Sequence, residues 1–130
     1  MIQKLLVTAI LVLLLQTSAN ANCLSYNAPV TLTGTIAIQT FPGPPNYENI
    51  KNGDKPDSCW IMHLREPICV IAAQDDELNE TEKNVSEIEL VFMSKEPQPK
   101  PGSIKIQGTL FHAITGHHHT KVLMEVKTIN

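Results

Sequence analysis

The 130-residue chain lacks the two features that would point to a membrane or to nucleic acid. Its most apolar stretch, Leu5–Leu15, has eleven residues, whereas a helix that crosses a bilayer needs about twenty. Ten Lys and Arg residues are scattered along the chain among thirteen Asp and Glu residues, so no basic stripe exists. The sequence therefore argues against a membrane-spanning helix and against nucleic acid as a partner.

The motifs of several well-known sites are missing as well. No Gly-x-Ser-x-Gly elbow is present, and the three cysteines have neither Cys-x-x-Cys spacing nor basic neighbours that would activate a thiol. The acidic segment 74–84 lacks the Asp-x-Asp-x-Asp-Gly spacing of calcium loops, so we expect a solvated loop or one helical turn there. These gaps favour a non-enzymatic protein over an enzyme.

What is present begins with an N-terminus that has the layout of a secretory signal peptide. Lys4 supplies the charged region, Leu5–Leu15 the apolar region, and Ala19-Asn20-Ala21 the small-residue cleavage site. We expect residues 1–21 to be removed and residues 22–130 to form a single β-barrel-like domain. The expected location is periplasmic or secreted, without a membrane anchor after cleavage, and the expected state is a monomer.

An oxidising compartment makes a disulfide bond the expected role of the cysteines. Cys23, Cys59 and Cys69 allow three single-bridge arrangements with one thiol left over. We favour Cys23 with Cys69, because this bridge ties the mature N-terminus to a central strand. Cys59 with Cys69 is the main alternative, since the two could face each other across a tight hairpin.

Alternating apolar residues predict an all-β fold. Gly34 and Gly108 lie in the middle of two of the predicted strands, where glycine marks a bulge or sharp coiling. Residues 65–67, Arg-Glu-Pro, are expected to connect two strands of a central hairpin. The predicted strands are Val30–Thr40 with Ile38 facing inward, Cys59–Leu64, Ile68–Ala73, Ile88–Phe92, Ile104–Leu110 and Lys121–Val126. We predict a small five- to six-stranded Greek-key barrel that resembles the OB-fold, with a β-sandwich as the alternative.

Four of the five histidines lie between Gly108 and Val126, on either side of a turn signal at Thr115-Gly116. Two-residue alternation places His117 and His119 on one face and His118 on the other, and His112 joins the first pair if the register allows. We expect an exposed tip whose charge changes with pH. The alternative is a Zn²⁺ or Cu²⁺ site formed by His112, His117 and His119.

The segments Phe41–Glu48 (FPGPPNYE) and Gly108–Thr120 (GTLFHAITGHHHT) resemble a family of small exported bacterial proteins known as a domain of unknown function. The resemblance implies a location in the bacterial envelope. It also implies that Cys23 and Cys69 are typical of the family while Cys59 is an addition, which supports the favoured bridge. In such a protein, Phe41 and Tyr47 would form a wall beside the histidines; the alternative is a loop that simply covers one end of the barrel.

The sequence thus predicts an exported, non-enzymatic binding module, for example of the inhibitor or immunity type. Its partner would be an envelope protein or a small ligand, and the sequence by itself specifies no cofactor. The alternative function is transition-metal binding, with Zn or Cu as the cofactor. The predicted binding residues are Phe41, Tyr47, His112, His117, His118 and His119.

Overall fold

A computed structural model describes residues 23–93 and 99–130. The strands are β1 (Leu24–Ser25), β2 (Pro29–Pro42), β3 (Pro56–Ile71), β4 (Glu82–Phe92), β5 (Gly102–His112) and β6 (Val122–Ile129), with one 3₁₀ turn at Ile50–Asn52. The predicted signal peptide, residues 1–21, lies outside the described residues, as do residues 94–98 between β4 and β5. Among the described residues, no helix has the length and apolar character needed to cross a membrane.

The five long strands pair in a closed ring. β3 pairs with β2 and β4, β2 also pairs with β5, and β6 lies between β5 and β4. Strands β2, β3 and β4 follow one another through antiparallel pairs, and β5 returns to lie beside β2, which is the Greek-key order. The pair of β4 with β6 is parallel and completes the ring. The predicted all-β barrel is confirmed.

Two mid-strand glycines allow neighbouring strands to approach closely. A Cβ atom at Gly34 would collide with the carbonyl oxygen of His63, and one at Gly108 with the carbonyl oxygen of Glu125. The register of β5 with β6 also shifts between Gln107 and Gly108. These are the positions at which the sequence predicted coiling, and they let a barrel of only five long strands close.

The core lies inside the ring and consists of the inward-facing residues of all five long strands. Its most deeply buried members are Ile36, Met62, Val70, Ile88, Ile106, Leu110, Val122 and Met124. The prediction that Ile38 faces this core is wrong, because its side chain is 59 % exposed. The pairing of β2 with β5 ends at Ile36, so Ile38 has a neighbouring strand on one side only.

The predicted central hairpin is instead one continuous strand, β3. Pro67 lies where the pairing of β3 with β4 is irregular, between His63 and Ile68. A proline is tolerated at such a bulge because no ladder hydrogen bond has to be donated there. The alternative bridge of Cys59 with Cys69 is therefore ruled out by geometry, since both residues lie on the same strand.

The disulfide bond joins Cys23 to Cys69, as favoured, and Cys59 is a free thiol. Directly after Cys23, β1 pairs in parallel with β3, with Leu24 opposite Val70. The bridge closes a loop of 46 residues, which corresponds to roughly 4 kcal/mol in the loop-entropy description. It therefore fixes the segment that enters β1 onto the end of β3.

Candidate binding face

Asp57, the second residue of β3, bonds two histidines of the loop 113–121 between β5 and β6. Its Oδ2 atom is 2.9 Å from Nδ1 of His117 and 2.7 Å from Nε2 of His119. These hydrogen bonds, that of His117 first, hold the pKa of Asp57 below its ordinary value. One carboxylate thus fastens the loop 113–121 to the start of β3.

Two aromatic residues complete this contact. The ring of His119 stacks on Phe41 near the end of β2, and the ring of His117 meets Tyr47 edge-on, with centroids 5.6 Å apart. Since Nδ1 of His117 donates to Asp57, Nε2 of the neutral ring can accept a hydrogen bond from the Tyr47 hydroxyl, 3.3 Å away. Phe41 and Tyr47 lie beside the histidines, as the family resemblance implied.

Close approach between the loops depends on Gly116. A Cβ atom at this position would lie 2.9–3.2 Å from the ring of Tyr47, which is shorter than an ordinary van der Waals contact. The loop 43–55 between β2 and β3 therefore touches the loop 113–121 directly. We refer to these two segments together as the joined loops.

Asp54 fixes the conformation of the loop 43–55. Its carboxylate accepts backbone N–H groups from Asn46, Glu48 and Asn49, each at 2.9 Å. The three donors, with Asn49 as the largest contributor, hold the pKa of Asp54 below its ordinary value. The side chain of Asp54 thus orders the loop 43–55, which carries Tyr47.

Glu89, on the outer surface of the barrel, is a second anchor of the loop 113–121. It is only 6 % exposed, and its Oε2 accepts the backbone N–H of His119 at 2.6 Å. The backbone N–H of Glu89 donates to Oγ1 of Thr120 at 2.9 Å. In register, Glu89 lies between Ile61 and Leu123, which are fully buried but do not belong to the interior cluster. The loop therefore covers a small apolar patch on the outside of the barrel.

His118 has a different role from its neighbours. Its Nδ1 accepts the backbone N–H of Ile114 at 2.9 Å, and its ring lies edge-on to Phe111. His117 and His119 share one partner while His118 turns elsewhere, as the alternation predicted, although all three lie in a loop before β6 rather than within it. His118 stabilises the turn and does not join the Asp57 contact.

The predicted metal set of His112, His117 and His119 does not converge. His112 contacts Glu82, with Nε2 2.9 Å from Oε1, whereas the other two histidines contact Asp57. His112 is the last residue of β5 and bonds Glu82 of β4, whereas His117 and His119 lie further along the chain, in the loop 113–121. Within residues 23–93 and 99–130, the group of three or more potential ligands within 4.8 Å of one another is Glu80, Glu82 and His112.

The joined loops present a mixed aromatic, apolar and polar surface to solvent. Tyr47, Ile50 and Ile114 are exposed, and so is the imidazole of His117. A groove of about 260 Å³ lies next to them, between the start of β4 and His119. Such a surface can bind a partner through apolar contacts and a few directional hydrogen bonds.

Sequence reasoning missed Asp57 and Glu89. Of the other carboxylates, Asp54 bonds its own loop and Glu125 lies within β6. Extending the alternation of β3 back to Pro56 would have placed Asp57 on the face of Cys59. No local signal identifies Glu89, because its contacts depend on strand register.

Comparison with known proteins gives one partial match. The profile of a domain of unknown function (DUF4431) matches residues 87–130, which include most of β4, all of β5 and β6, and the loop 113–121. No curated protein and no solved structure matches the chain significantly.

Proposed function

We propose that the protein is an exported bacterial binding module without catalytic activity, and that the joined loops form its binding face. The observation that carries this proposal is the carboxylate of Asp57, which bonds both His117 and His119. Together with Phe41 and Tyr47, it holds two loops in one arrangement before any partner arrives. A preorganised surface loses less conformational entropy on binding, which favours recognition.

The exposed side chains favour an envelope protein over a small ligand as the partner. Tyr47 combines an apolar ring with a hydroxyl group, a combination that is enriched in protein interfaces. Ile50 and Ile114 add exposed apolar surface on the same two loops. The groove beside His119, about 260 Å³, is smaller than the roughly 300–1,000 Å³ of a typical ligand pocket.

The position of the joined loops in the barrel agrees with this proposal by analogy. In OB-fold barrels, the loop between the first two strands and the loop between the last two border the binding surface. The loops 43–55 and 113–121 occupy the same two positions among the five long strands. Fold analogy supports a location rather than a ligand. The net negative charge argues against nucleic acid, and an inhibitor or immunity protein is a concrete version of the function.

The test is capture of a partner from bacterial envelope extract at pH 7.5 and pH 5.5, a range in which imidazoles change charge. A captured protein is identified, purified and titrated against the wild type and against a Tyr47→Ala, His117→Ala double variant. We expect the double variant to lose at least about tenfold in affinity, since buried aromatic contacts at interfaces are worth more than about 1 kcal/mol each.

His63→Ala is the matched control. His63 is an exposed histidine on β3 that does not belong to the joined loops and is paired with Glu87 at 3.2 Å. Its replacement should leave the affinity unchanged. A partner that binds the double variant as tightly as the wild type would place the binding face elsewhere, and an affinity that stays constant between the two pH values would remove the pH-responsive role.

A further inference from the structure

We propose that Glu80, Glu82 and His112 form a binding site for a divalent transition-metal ion, and that Zn²⁺ is the ion that suits them. Glu82 begins β4, Glu80 precedes it by two residues, and His112 ends β5. One potential ligand atom from each residue lies within 4.8 Å of the other two. An imidazole nitrogen with two carboxylate oxygens is a donor set for Zn²⁺, whereas Ca²⁺ and Mg²⁺ prefer oxygen ligands alone.

The two ring nitrogens of His112 each lie beside an oxygen atom that can only accept a hydrogen bond. Its Nδ1 is 3.2 Å from the carbonyl oxygen of Ala113, and its Nε2 is 2.9 Å from Oε1 of Glu82. Both oxygens can only accept, while a neutral imidazole carries a single N–H. A cation between Nε2 and Glu82 removes this mismatch. Glu80 brings a second carboxylate to the same point, so the three side chains offer a cation one nitrogen and two carboxylate oxygens.

Contacts outside the ligand set orient His112 as a metal-binding histidine is usually oriented. An Nδ1–H bonded to a backbone carbonyl fixes the tautomer and directs Nε2 towards the metal. The backbone N–H of His112 donates to Oδ1 of Asn79 at 2.8 Å, and Nδ2 of Asn79 donates to Asp76 at 2.8 Å. The position and direction of the ring are therefore set before an ion binds.

Local charge and access also suit a cation. Besides Glu80 and Glu82, the carboxylate of Asp76 lies nearby, because it accepts a hydrogen bond from the Asn79 side chain whose Oδ1 bonds the backbone N–H of His112. The ammonium of Lys121 lies 3.8 Å from Glu82, but its side chain is 78 % exposed and can turn into solvent. Glu82 also lines the groove of about 260 Å³, which gives an ion a path to the site.

The experiment is a titration of the purified protein with Zn²⁺ by calorimetry, and with Co²⁺ by its visible absorption. We expect one saturable site per chain with Kd at or below about 1 µM. Glu80→Gln and His112→Gln should each weaken binding by at least about 10- to 100-fold, the loss that follows removal of even an outer contact of a metal site. Glu80 is exposed, so its replacement tests the site without disturbing the fold.

The matched control is His63→Gln, which removes another exposed imidazole that is paired with a carboxylate and keeps all three ligands. It should bind Zn²⁺ as the wild type does. The proposal is overturned by the absence of saturable Zn²⁺ binding, by unchanged affinity in Glu80→Gln and His112→Gln, or by equal weakening in the control. None of these outcomes decides whether the joined loops form a binding face, because the two sites share no residue.

Discussion

The imidazole of His119 lies flat on the ring of Phe41, with centroids 4.4 Å apart and planes 5° from parallel. This stack joins the end of β2 to the loop 113–121. An aromatic pair is worth about 0.5–1.5 kcal/mol beyond the area it buries, so Phe41→Leu should lower the free energy of unfolding by roughly 1 kcal/mol. In NMR spectra, the ring protons of His119 should lose the shielding of the aromatic face and move downfield.

Phe111→Leu is the control for this prediction. Phe111 contacts His118 edge-on at 5.6 Å, so its replacement should leave the His119 resonances in place. Identical His119 shifts in the wild type and in Phe41→Leu would show that the stack does not orient the histidine.

The carboxylate of Asp54 makes a prediction about acid stability. Its pKa is lowered in the folded protein, so it contributes stability above its ordinary value of 3.8 and loses that contribution as the pH falls through the folded-state value. Asp54→Asn cannot titrate. The difference in Tm between wild type and variant should therefore be constant above about pH 5 and shrink below about pH 3.8. A difference that stays the same down to pH 2 would contradict the role given to Asp54.

Gly108 should tolerate no side chain. In Gly108→Ala, the new methyl group would meet the carbonyl oxygen of Glu125, a backbone atom that can move only with its strand. Overpacking of this kind costs about 1–3 kcal/mol or more, which corresponds to a fall in Tm of at least about 5 °C for a domain of this size. Gln107→Ala, an exposed position on the same strand, serves as the control in thermal unfolding and should change Tm little.

The free thiol of Cys59 should be inert in the folded protein. Burial, and then the charges of Glu89 and Asp57, raise its pKa to about 12, so the protein carries almost no thiolate at pH 8. Alkylation by iodoacetamide at pH 8, followed by mass spectrometry, should be far slower for the native chain than for the unfolded chain. Glu89→Gln should accelerate it by removing a negative charge. Equal rates for native and unfolded protein would be incompatible with this environment.

Much of the barrel could be predicted from the sequence, because its strands are half-buried and their alternation is visible. Leu32 and Ile36 on β2, and Ile106 and Leu110 on β5, are buried as the pattern indicated. The error at Pro67 has a physical cause, since a proline signals an interruption but cannot distinguish a turn from a bulge in a continuing strand.

Only part of the candidate site could be predicted from the sequence. The histidines and Tyr47 stood out because of their residue types and their positions in loops. Asp57 and Glu89 are ordinary acidic residues in sequence, and their contacts depend on how β3 and β4 align with a loop from a distant part of the chain. Long-range pairing is not encoded by local pattern, so the division of the histidines between Asp57 and Glu82 could not be predicted.

Three converging N–H groups are the arrangement with which many protein loops bind phosphate or sulfate from solution. In the loop 43–55 the anion is Asp54, which is part of the chain and is therefore always present at the site. Dissolved salts and free anions cannot displace this internal counter-ion by competition. The loop that presents Tyr47 should therefore keep its shape when the salt composition of the surrounding medium changes.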